Sequence, residues 1–204
     1  ATGLVYRSEA FLEDSNEERM PYILRGYDAG FANHGGLPLF EWDSQYGSTE
    51  SEVWNTVRNR QDLVLLYASF GLELATDGTG ISTLSFSIGD SIFLIDLSNP
   101  GNKRFVTVAG FLEQSSYLFS PGVWLSDEIV ENQFDGRLTR MYVSLSDSAT
   151  ASSDFDDSGI STFSATGKPT NVRIAAAQLA EELADEINRE GVTVSVVSDD
   201  VMLI

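Results

Sequence analysis

Only one long stretch of this chain repeats its apolar residues at helical spacing, and most of the rest is cut into strand-length pieces by Gly, Pro, Asn and Asp. In that stretch Val172, Ala176, Leu179, Leu183 and Ile187 recur every three or four residues, the period of one helix face. Thr170 or Asn171 can cap its start, and Gly191 suits its end. Glu181, Glu182, Asp185 and Glu186 fall on the other side, so the predicted helix, residues 171–189, packs on a sheet through one face only.

The strand signals are shorter and more numerous. Leu63–Tyr67 is a continuous apolar run with the length of a fully buried strand. Phe70, Leu72 and Leu74 alternate with Gly71 and Glu73, the period of a half-buried one. Beyond the turn residues Asp77–Gly80, Ile81–Ile88 and Ser91–Leu97 flank Gly89-Asp90 and read as a hairpin. Asn99–Asn102 makes another turn, Phe105–Val108 and Arg137–Leu145 are further strands, and residues 192–204 form a terminal hairpin about Ser198–Asp200. Ser51–Arg60 reads as a short helix, acidic at its start and basic at its end, as the helix dipole favours. Ser146–Gly167 is a Ser/Thr/Ala/Asp/Gly-rich surface segment.

Residues 1–60 are punctuated by glycines and by Pro21 and Pro38, with a solvated turn expected at Ser15-Asn16 between Glu13-Asp14 and Glu17-Glu18. They also carry Phe11, Tyr22, Trp42 and Trp54. The expectation is an irregular, aromatic-rich arm or subdomain over 1–60, then a β-rich domain over 61–204. The fold class is α+β and β-dominated, with antiparallel sheets and hairpins and one long amphipathic helix near the C-terminus.

Charge narrows the partners. With 12 basic and 31 acidic residues the net charge is −19, so attraction to nucleic-acid phosphates or anionic lipid is not expected. Passive contact with passing DNA is compatible with such a surface, which resists adhesion. Cysteine is absent, which removes disulfides, thiolate metal sites and Cys nucleophiles. The first residues lack an apolar signal-peptide core, and the apolar runs are too short to span a bilayer, so the reading is a soluble chain.

Chemistry-bearing groups are sparse. His34, the single histidine, precedes Gly35-Gly36, but the Gly-x-Ser-x-Gly elbow of an esterase is missing. Glu41 and Asp43 flank Trp42, which on a strand puts both carboxylates on one side, a pattern that glycan-binding or glycan-degrading modules use. Asp154, Asp156 and Ser158 followed by Gly159 match the first half of a Ca²⁺ loop, whose second half fails at Ala165. No cofactor motif is present, and the chain reads as non-enzymatic.

Two segments resemble a known family. Ile88, Asp90, Phe93 and Ile95 within residues 81–97 are similar to a strand-turn-strand of tail tubular protein B, the nozzle of short-tailed bacteriophages. Over residues 141–204, Tyr142 and Val143, then Ala175, Ala176, Leu179, Ala180 and Leu183, then Gly191, Val194, Val196, Val201 and Leu203 resemble a strand–helix–hairpin module of those proteins. The resemblance implies a ring-forming structural protein of the virion that meets copies of itself and other virion proteins. A capsid decoration (cement) protein and a carbohydrate module are the alternatives. Phe11, Tyr22, Trp42, Trp54 and Trp124 are the expected interface anchors, because interfaces are enriched in aromatic side chains.

Overall fold

The computed structural model describes residues 2–33, 36–67, 86–113, 122–143, 145–146, 148–156, 158, 170–187, 194–197 and 200–203. The fold is α+β and strand-dominated, and the chain divides into two compact units: Val5–Leu138, and Ala1–Leu4 with Thr139–Ile204.

The larger unit begins with a long hairpin of β1 (Thr2–Glu13) and β2 (Arg19–Tyr27), in antiparallel register from Val5 opposite Tyr27 to Glu13 opposite Arg19. This corrects the expected irregular arm over residues 1–60. Charged residues interrupt the apolar pattern there, yet strand pairing brings them together: Arg19 Nε lies 2.7 Å from Glu13 Oε2. The expected turn does form, held by Asp14 Oδ1, which accepts from the backbone N–H groups of Asn16 and Glu18.

After β2 come α1 (Ala29–Asn33), β3 (Leu39–Trp42), a 3₁₀ turn at Ser44–Tyr46, α2 (Glu50–Asn59) and β4 (Leu63–Tyr67). Thr49 caps α2, its hydroxyl accepting from Glu52 N–H. All of β4 is buried, as its apolar run demands. β5 (Ser91–Asp96) and β6 (Lys103–Leu112) form an antiparallel hairpin over the turn at Asn99–Asn102. β7 (Val123–Ser126), α3 (Asp127–Phe134) and the start of β8 (Arg137–Val143) follow. The expected strand at Phe70–Leu74, the turn at 77–80 and residues 81–85 of the first expected hairpin lie outside the described residues. The turn at Gly89-Asp90 is present, with Asp90 Oδ2 accepting from Ser87 N–H.

Pairing in this unit runs β2-β7-β4-β6-β5-β1 and returns from β1 to β2, with β3 added on β6. Most pairs are antiparallel, as expected. β2–β7 and β4–β6 are parallel, an arrangement that local sequence pattern does not encode.

Helices cover both faces. On one, Leu12, Leu24, Ile92, Leu94, Val106 and Val108 are fully buried. Gly26 lies on this side beneath α3, where a Cβ would stand 2.7 Å from Val130 Cβ; only glycine lets helix and strand approach so closely. On the other, Tyr27, Phe31, Trp54 and Trp124 interlock: Phe31 stacks on Trp124 at 5.3 Å, and Trp54 meets Tyr27 edge-on at 4.8 Å and Trp124 at 5.6 Å. The Tyr27 hydroxyl donates to Trp54 O at 2.8 Å, and burial pushes its ionisation well above the ordinary phenol range. Gly36, at φ 61°, passes directly beneath the Trp54 indole. Trp54 and Trp124 are therefore core residues with no exposed surface, which corrects their assignment as interface anchors.

In the smaller unit α4 (Thr170–Ile187) matches the expected helix at its start, and residues 188–189 of that expectation lie outside the described residues. Met141, Val143, Leu145, Leu179, Ala180 and Leu183 pack around the buried Ala176. β9 (Val194–Val197) and β10 (Asp200–Leu203) form the expected terminal hairpin, and β10 pairs antiparallel with β8.

Candidate functional site

The helix-covered aromatic face of the larger unit opens to solvent toward β5 and β1. Antiparallel register places directly opposed residues on the same face. Glu13 thus stands beside Phe93 and Phe93 beside Phe105, while Phe11 stands beside Ile95 and Ile95 beside Lys103. Phe105 is 53% exposed, although it meets Phe93 edge-on at 5.3 Å. Phe105 and the half-buried Phe93 thus form one solvent-facing aromatic spot on the sheet.

Glu13 organises the polar part of this face. Its side chain is only 3% exposed, and both Arg19 and Lys103 bond to it. These bonds hold its carboxyl below the usual carboxylate range against the opposing effect of burial. One negative charge thus anchors a pair of cations, and the face keeps a net positive charge on a chain of −19. Lys103 Nζ also sits 4.0 Å from the centroid of the Phe93 ring, a cation–π contact that holds the ammonium against the aromatic pair. Both cations keep an outer side in water, Arg19 at 54% exposure and Lys103 at 37%.

Of the expected anchors, this face includes Phe11, which is half-buried. Tyr22, also half-buried, is paired with Ala10 and points to the other side of the hairpin. Trp42 is elsewhere, on β3, with its indole N–H donating to Gly47 O at 3.0 Å. Phe105, Lys103 and Arg19 were not singled out from sequence as site residues, and Phe93 entered only through the resemblance of residues 81–97. The available signal was the odd-numbered spacing of Phe93 and Ile95, and of Lys103 and Phe105, in two strands joined by one short turn.

The remaining candidates resolve into local structure. Asp43 caps the 3₁₀ turn, accepting from Gln45 N–H at 3.0 Å and from the Gln45 side-chain amide at 2.6 Å. Glu41 is exposed beside them, and Trp42 is half-buried. His34 lies outside the described residues. In the Ca²⁺-like segment, Asp156 accepts from Ser158 N–H at 3.1 Å, and its hydrogen bonds with Ser158 hold its carboxyl below the usual carboxylate range. Among the described residues no three acidic or histidine side chains converge as a metal site.

Asp154 instead borders an open groove of about 290 Å³ along α4, with Phe155, Gln178, Glu181, Glu182 and Asp185. Gln178 ties the segment to the helix, accepting from Ser152 N–H at 2.6 Å while its amide donates to Glu182. A separate pair joins α2 to α3: Arg58 Nη2 lies 3.3 Å from Asp127 Oδ1. Burial pushes the Asp127 carboxyl up, and Arg58 works in the opposite direction. No described helix is long and apolar enough to cross a membrane.

No family model matches the sequence, and no curated protein matches it. Among solved structures, the periplasmic region of MacB from Actinobacillus actinomycetemcomitans aligns over 99% of this chain and 70% of its own, at 15% identity and a TM-score of 0.44.

Proposed function

We propose that this chain is a non-catalytic subunit of a larger assembly, and that the open face of β1, β5 and β6 is where it meets a neighbour. The observation that carries this reading is Phe105, exposed beside a cation-bearing aromatic pair on an otherwise acidic molecule. An aromatic centre with a charged rim is the composition of a specific protein contact. The resemblance of residues 81–97 and 141–204 to the phage nozzle supplies the particular assembly: a ring in the tail of a short-tailed phage. The chain's acidity supports the same setting, since a negative wall near passing DNA resists adhesion.

The test is the position of the chain in purified particles. Antibody-labelled virions imaged by electron microscopy are expected to carry several copies at the tail. Label on the head would replace the tail reading with a decoration protein. Absence of the chain from the particles would overturn the virion reading altogether.

A further inference from the structure

Resting on that reading, the charges of the chain go further and name the neighbour. We infer that the open face of one copy docks against the α4 side of a second copy, head to tail. The face presents Phe105 and Phe93 with Arg19 and Lys103 at its rim. Placed against its own copy it would set like charges together, so a two-fold contact through this face alone is disfavoured. Its complement lies on the same chain. The outer side of α4 exposes Glu181, Glu182, Asp185 and Glu186, and the groove beside it adds Asp154 and the apolar ring of Phe155. Cations and phenyl rings on one copy therefore meet carboxylates and a phenyl ring on the next. Contacts between two different surfaces of one chain are heterologous, and heterologous contacts build rings or filaments.

Two variants with complementary defects test this. Phe105→Ser removes an exposed ring, and Glu181→Lys with Asp185→Lys reverses charge at exposed helix positions. Circular dichroism and melting curves check that each is folded. Should the double Lys variant melt early, Glu181→Gln with Asp185→Asn takes its place. The unmodified chain is expected to self-associate at low salt, and each variant alone to associate about tenfold or more weakly, as for a central aromatic or a paired charge at an interface. Mixed one to one, the variants retain a single good contact between them and are expected to give dimers and nothing larger.

Three results would overturn the inference: an unmodified chain that stays monomeric at every concentration, variants that associate as well as the parent, or a mixture no larger than its components. A photo-reactive phenylalanine analogue at position 105 separates failure of this inference from failure of the assembly reading. Cross-linking within the particle to a different protein would end the second-copy proposal and keep the assembly reading. No cross-link there to any protein would end both.

Discussion

Replacing Trp124 with alanine is the sharpest test of how the larger unit is held together. The indole is fully buried, stacks on Phe31 at 5.3 Å and meets Trp54 edge-on at 5.6 Å. Truncating a buried Trp costs about 3–5 kcal/mol, from lost transfer energy and the cavity left behind. Its ring contacts add specificity worth about 0.5–1.5 kcal/mol each, part of which is already inside that figure. Leu65 pairs with Trp124 across β4 and β7, and both side chains are fully buried. Against a total stability of about 5–15 kcal/mol, such a loss is a large fraction. In urea, with a slope of about 2 kcal/mol/M, the midpoint is expected to fall by about 1.5–2.5 M. Fluorescence of the remaining tryptophans, Trp42 and Trp54, follows the transition. A midpoint within about 0.3 M of the parent would refute the core assignment and return Trp124 to the molecular surface.

Other perturbations follow from the same geometry. Gly26→Ala drives a methyl into Val130 and the Asp127 backbone, so a loss of about 1–3 kcal/mol is expected in denaturant titration; unchanged stability would contradict the close approach of α3 to β2. Thr49→Ala removes the α2 cap and is expected to cost about 0.5–2 kcal/mol by the same measurement. Glu13 has its ionisation lowered by Lys103 and Arg19, so its contribution is present above the ordinary carboxylate range and is lost as pH falls toward its folded value. Melting temperatures of the parent and Glu13→Gln are therefore expected to differ at neutral pH and to converge on acidification. A gap that is constant with pH would show that Glu13 is not held as an ion.

Elements built from one kind of residue were legible in the sequence. Leu63–Tyr67 is apolar throughout and is wholly buried; the spacing from Val172 to Leu183 is helical, and those residues pack as one face. The first hairpin was not legible because its strands carry Arg7, Glu9, Glu13 and Arg19; Arg7 pairs with Glu9 along β1, and Glu13 is met by Arg19 across the hairpin and by Lys103 from β6. Trp54 and Trp124 looked like surface anchors for a related reason. Each sits in a short segment, and its burial depends on Tyr27 and Phe31 arriving from elsewhere. The open face was hidden too, since Glu13, Phe93 and Lys103 become neighbours only through the β1–β5–β6 register.

Sedimentation velocity on the unmodified chain, over a range of concentration and salt, tests the central claim most directly: that the open face is completed by another molecule of the same chain. Species heavier than the monomer are expected to grow with concentration at low salt and to shrink as salt screens Lys103 and Arg19 from the neighbour's carboxylates. A single monomeric boundary, unchanged by concentration or salt, would contradict it.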